Sequence, residues 1–173
     1  MDDKKQQILR AAMRAVTRYG IKRSSMEDIA NEAGISRPAI YQFFRNKDDV
    51  IASCIDLVIE DAFSAANAAS IDIREPKAKA AAFYIAYLSY FHALVVTGPH
   101  GQDLQDASNR LGGERMAAAQ QRFVAELNEM AGLKADDDLG QILMLAGSGI
   151  KYETPDGDIL QRRLAVLVEK LLN

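Results

Sequence analysis

Cysteine is almost absent from this chain. Its one thiol, Cys54, excludes an intramolecular disulfide framework and a Cys-rich zinc site. Histidine is nearly as scarce: His92 and His100 lack metal-ligand spacing, so no metal is expected, and little is left for acid–base chemistry. The four prolines are scattered, with no low-complexity tract and no repeat at a solenoid period. No Walker loop, dinucleotide fingerprint or nucleophile elbow occurs. The run Asp136-Asp137-Asp138 suits a helix start better than a metal site. The chain is therefore expected to be no enzyme and to need no cofactor. The opening MDDKKQQ lacks the apolar stretch of a secretory signal, and one thiol suits a reducing compartment, so a cytoplasmic location is expected.

What is present is globular. Of 173 residues, 49% are hydrophobic and 26% charged, enough for one ordinary domain or two small ones. The net charge of −3 is unevenly spread. Residues 1–50 carry ten Lys/Arg against seven Asp/Glu, and from Lys4 to Lys47 the balance is ten against three. Residues 51–173 carry eleven against seventeen. A basic head on an acidic body implies a local site for a polyanion. Ala80 to Gln102 holds no charged residue and could span a bilayer by length. It also holds Tyr84, Tyr87, Ser89, Tyr90, His92, Thr97 and Gly98-Pro99. Polar groups along its middle suit a buried helix, and no membrane partner is expected.

Nearly every segment reads at helical period, and none alternates convincingly as a strand. The first helix is expected from about Asp3 to Tyr19, stopped by Gly20. Ser24 and Glu27 have capping-box spacing for a second helix, which Gly34 breaks. Ser36 caps a third, about Arg37 to Phe44, with Pro38 in its first turn. Asn46 caps a long fourth, and Ile71 to Glu75 connects to a helix from Pro76 to Gly98-Pro99. Further helices are expected over Gln102–Leu111, Glu114–Ala131 and Asp136–Tyr152, and a last one after a Thr154-Pro155 cap. The expected architecture is all-α with about nine helices: a head over residues 1–46 and a body over residues 47–173.

Met26 to Phe44 is the informative stretch. Two short helices meet at Ala33-Gly34-Ile35-Ser36. Small Ala30 permits a close crossing, Gly34 can take positive φ, and Ile29, Ile35 and Ile40 fill the space between. That is the logic of a helix-turn-helix. On spacing alone, a plain helical hairpin with a solvated Arg37 fits too. The third helix has the shape to enter a major groove. Its outward residues are Arg37, which could fork onto guanine, Ala39 for a thymine methyl, Tyr41 for phosphate and Gln42 for adenine or phosphate. Ser24, Ser25, Ser36 and Lys47 stand at helix starts suited to phosphates. The Arg10/Arg14/Arg18 stripe reads as a solvated face.

Ile29-Ala30-Asn31-Glu32-Ala33-Gly34-Ile35-Ser36, followed by Ile40-Tyr41-Gln42-Phe43-Phe44-Arg45-Asn46-Lys47-Asp48-Asp49-Val50, resembles the DNA-binding head of the tetracycline-repressor (TetR) family. The resemblance covers residues 3 to about 55. It implies that the positions named above touch double-stranded DNA. It also implies a homodimer on an inverted-repeat operator, and a body that binds a small-molecule effector. The family's dimer forms from its last two long helices. Here these match Asp136–Tyr152 and Pro155–Leu172, and point to Leu139, Ile142, Leu143, Ala146, Leu160, Leu164 and Leu167. Intramolecular packing explains the same stripes. Tyr84, Tyr87, Phe91, His92, Met116, Phe123 and Met144 are the expected effector lining, and the lack of fixed charge suggests an apolar or weakly polar ligand. Ordinary core packing explains these residues equally. The reading that results is a repressor released from DNA by an effector. The rival is a helix-turn-helix dimer whose body serves only assembly.

Overall fold

The computed structural model describes residues 3–96 and 100–172, without the side chains at 95, 96, 101, 102 and 104. Among the described residues there are nine helices and no strand. They are α1 (Asp3–Tyr19), α2 (Met26–Glu32), α3 (Arg37–Ile40), α4 (Lys47–Ser70), α5 (Pro76–Val96), α6 (Gly101–Leu111), α7 (Gly113–Met130), α8 (Asp138–Tyr152) and α9 (Gly157–Leu172). The helix break expected at Gly98-Pro99 lies outside the described residues. No described helix is long and apolar enough to cross a membrane.

The chain forms two compact units: Met1–Ile59 with Thr97–Met116, and Glu60–Val96 with Ala117–Asn173. The division falls inside α4 rather than at residue 46, and α6 joins the first unit. Specific contacts draw α6 there. Ala107 and Leu111 pack with Val16, Ile21 and Ile51, and Arg110 grips Asp48 with two bonds of 3.1 and 3.2 Å.

In the first unit, the inner face of α1 presents Ile8, Leu9, Ala12 and Ala15, each at most 1% exposed. They close over Ile29, Ala30, Ile40, Phe44 and Val50. Gly34 has φ +68°, as the turn requires. Its N–H reaches the Asn31 carbonyl, and the Ile35 N–H reaches that of Ala30. Both are bonds of a Schellman stop.

Three details differ from expectation. The capping box of α2 is Ser25 with Asp28, not Ser24 with Glu27. The Ser24 hydroxyl instead donates to the Gly20 carbonyl at 2.7 Å and closes the turn after α1. The third helix stops at Ile40, because Gln42 and Phe43 bond three residues back, to Ala39 and Ile40. The last helix is capped by Asp156, whose side chain accepts the Ile159 N–H at 2.9 Å, rather than by Thr154. Thr154 is 2% exposed, and its hydroxyl donates to the Ile150 carbonyl.

In the second unit, α5 packs against both α8 and α9, which pack on each other. That double burial explains why α5 is apolar nearly all round. Close approach to α8 depends on Gly147, where a β-carbon would overlap the Tyr84 hydroxyl and stand 2.5 Å from Leu88 Cδ1.

Candidate nucleic-acid interface

The turn between α2 and α3 presents one side of α3 to solvent. Ile40 and Phe44 point inward, at 0% and 2% exposed, and anchor the element. Ser36, Arg37 and Gln42 are exposed, Tyr41 is 44% exposed, and Ala39 is half-buried. Arg37 makes only a loose 3.7 Å pair with exposed Glu27, an interaction too weak to hold it from another partner. Ser36 keeps its hydroxyl on the Ala39 N–H at 3.3 Å. Of these five, Arg37 and Ala39 lie on α3, Ser36 and Tyr41 cap its two ends, and Gln42 follows.

The flanking serines and Lys47 are placed otherwise. Ser24 is 2% exposed and faces inward. Ser25 is exposed, but its hydroxyl donates to the Asp28 carboxylate at 2.6 Å and accepts the Asp28 N–H. The Ser25 hydroxyl and N–H hold the Asp28 carboxyl below its ordinary value. The Lys47 ammonium turns back to the carbonyls of Ile21 and Ser24, both at 3.0 Å, and ties α4 to the turn before α2. Lys22 and Arg23, in that turn, are the exposed cations there. Helical periodicity does not single them out, since they lie between helices. Arg14 and Arg18 meet Glu32 at 2.9 and 3.8 Å, and the Arg14 bond holds the Glu32 carboxyl low.

The expected effector residues are grouped unevenly. Met116 belongs to the first unit and the other six to the second. Tyr84, Tyr87 and Phe123 are at most 1% exposed, whereas Phe91 and Met144 are half-buried. The rings pack on each other: Tyr87 lies 4.3 Å from Phe123, 5.0 Å from Phe63 and 5.2 Å from Phe91 between centroids. The Tyr84 hydroxyl donates to the Leu143 carbonyl at 2.8 Å. His92 Nε2 lies 2.7 Å from the Thr154 carbonyl, so that nitrogen carries the proton and donates.

The expected dimer residues divide by face. Leu143, Leu160 and Leu164 are 0% exposed and serve the unit's own core. Leu139, Ala146 and Leu167 are half-buried, and Ile142 is 51% exposed. Leu145 and Val166, at 60% and 56%, join Ile142 as large exposed apolar side chains. Val166 also lines an open groove of about 610 Å³, with Ile150, Ile159, Arg162, Arg163, Leu167, Lys170 and Leu171.

Lys151 is the residue that periodicity could have revealed, since it follows Leu143 and Gly147 at four-residue steps. Its ammonium lies 5.6 Å from the Phe91 ring centre and 4.8 Å from that of Tyr152. It makes no hydrogen bond or ion pair among the described residues. Burial pushes its pKa down. Lys151 is half-buried, and the two ring faces contribute about 0.5–2 kcal/mol. Cys54 is inert by contrast: burial pushes its thiol up to about 12.

The head's fold and exposed α3 define a helix-turn-helix protein. Residues 8–54 match the sequence profile of "Bacterial regulatory proteins, tetR family". The match is confined to this head, about a quarter of the chain. The HTH-type transcriptional regulator TtgR of Pseudomonas putida is 41% identical over 54 residues, which is 31% of this chain and 26% of TtgR. The similarity to such relatives thus spans about a quarter of their length. A TetR-like transcriptional regulator from Rhodococcus sp. RHA1 superposes with a TM-score of 0.68 at 17% identity, over 98% of this chain and 96% of that one. SmeT of Stenotrophomonas maltophilia, the repressor of the multidrug efflux pump SmeDEF, gives 0.64 at 17% identity, over 95% and 87%. These two likenesses extend the fold to the whole chain.

Proposed function

We propose that this chain is a homodimeric transcriptional repressor that binds an inverted-repeat operator and leaves it when a small molecule binds the body. The exposed face of α3 carries this reading. Arg37 and Gln42 have the donors and acceptors to read base edges, Ala39 offers a methyl, and Tyr41 and Ser36 suit the backbone. The exposed Lys22 and Arg23 serve phosphates. Lys47 and Ser24 serve instead to hold α4 and the turn before α2 in place.

Dimerisation falls to the faces of α8 and α9 that the body leaves uncovered. Ile142, Leu145, Val166 and Leu171 are 51%, 60%, 56% and 38% exposed. Two copies of that face, related by a twofold axis, bury the apolar side chains and the groove beside them. A pair of heads then addresses two major-groove half-sites. The effector biases the dimer between two arrangements by binding one of them better.

Selection of binding sites from a random duplex pool at moderate salt tests the reading. Enrichment of an inverted repeat is the expected result. A blank selection by folded protein, repeated after refolding to remove any bound ligand, would overturn it. One observation favours the rival without an effector: Tyr84, Tyr87 and Phe123 are fully packed ring on ring. That rival expects no compound to weaken binding to the enriched site.

A further inference from the structure

The charge of the effector follows from Lys151. On α8 it occupies the third step of the stripe Leu143, Gly147, Lys151, and the first two steps face α5: Gly147 lies against Tyr84 and Leu88, and the Leu143 carbonyl takes the Tyr84 hydroxyl. Its ammonium lies over Phe91 of α5 and over Tyr152. No charge on α5 is available to balance it, since that helix has none beyond Lys79. Glu153 is exposed and forms no ion pair with it, and Arg163 is engaged with the Thr154 hydroxyl at 2.7 Å. Lys151 is thus a half-buried cation beside two aromatic rings, with no anion paired to it among the described residues. Tyr152 is 61% exposed and Phe91 and Lys151 are half-buried, so all three keep some surface open to solvent.

We propose that the body binds a small amphipathic carboxylate, its acid group on the Lys151 ammonium and its apolar part along Phe91 and Tyr152. This rests on the reading of the body as an effector domain. It departs from the uncharged ligand that α5 alone suggests. A carboxylate is the matching acid because one ammonium balances one charge, and Arg163 is already engaged with the Thr154 hydroxyl. A cationic ligand is repelled, and a neutral one leaves the ammonium unpaired.

Titrating the full chain with octanoate and with 1-octanol, by calorimetry at neutral pH, tests the inference. Octanoate is expected to bind at least tenfold tighter than octanol. Lys151→Met is expected to abolish that preference while keeping octanol binding, and Lys151→Arg to retain the preference. Equal affinity of the wild type for the two probes, no binding of either, or a preference that survives in Lys151→Met would overturn it. The wild-type comparison refutes the inference without any variant. Site selection on duplex DNA is independent of it: an enriched inverted repeat with no preference for octanoate removes this inference alone, and a blank selection removes the regulator reading.

Discussion

Gly147 and Gly149 lie two residues apart on α8, and alanine at the two positions should have opposite effects. At Gly147 a β-carbon overlaps the Tyr84 hydroxyl and crowds Leu88. The tyrosine must move, and its 2.8 Å bond to the Leu143 carbonyl goes with it, leaving buried polar groups unpaired. Overpacking costs about 1–3 kcal/mol, and the unmatched hydroxyl and carbonyl about 1–3 kcal/mol. The better helix propensity of alanine returns about 1 kcal/mol. The balance is a loss of about 3 kcal/mol, or a fall of roughly 6–12 °C in Tm for a chain of this length. At Gly149 a β-carbon meets nothing within 4 Å, so only the propensity gain of about 1 kcal/mol remains. Urea titrations followed by circular dichroism at one protein concentration measure both. Tyr84→Phe added to Gly147→Ala should recover part of the loss, because it removes the overlapping atom. A Gly147→Ala protein at least as stable as wild type would refute the packing of α5 on α8.

Four further outcomes follow from the same geometry. Arg37→Ala should weaken specific DNA binding by about 1–3 kcal/mol and relax one base position, as read by repeated site selection. Lys47→Ala should lower Tm by removing two charge-assisted bonds to the carbonyls of Ile21 and Ser24, while the salt dependence of DNA binding, measured by anisotropy, stays nearly unchanged. Leu145→Glu should give a folded monomer by light scattering, whereas Leu143→Glu, at a fully buried site, should prevent folding. Asp28, Glu32 and Asp48 all have carboxyls held below their ordinary values, first by bonds from Ser25, Arg14 and Arg110. A depressed carboxyl stabilises above its unfolded pKa and loses that contribution as pH falls through the folded one. Stability should therefore be flat near neutrality and decline below the ordinary carboxylate range, with Arg110→Ala removing the share due to Asp48.

The head was legible because its signals are local. Gly34, Ala30 and the three isoleucines specify the turn and crossing by size and φ alone, and Ser36 and Asn46 cap the helices assigned to them. Errors arose where two neighbours offer the same chemistry. Ser24 and Ser25 each precede an acid by three residues, and only the closure of the Ser24 hydroxyl onto Gly20 decides between them. Thr154 and Asp156 compete similarly at α9, and the buried bonds of Thr154 to Ile150, His92 and Arg163 exclude it. In the body, α8 and α9 each carry apolar residues on two sides. Periodicity finds both sides but cannot say which one α5 covers, so Leu143, Leu160 and Leu164 read as interface while Leu145 and Val166 went unnoticed. Periodicity puts Lys151 on the stripe of Leu143 and Gly147, but a lysine near a helix end reads as solvated until its neighbours are known.

The central claim is that α3 reads bases. The most direct measurement is the ratio of affinities for the enriched duplex and a scrambled one, at fixed moderate salt, for wild type and Arg37→Ala. A ratio of at least about a thousand is expected for wild type, with a clear fall in the variant. A wild-type ratio near one, or a ratio that Arg37→Ala leaves intact, would contradict it.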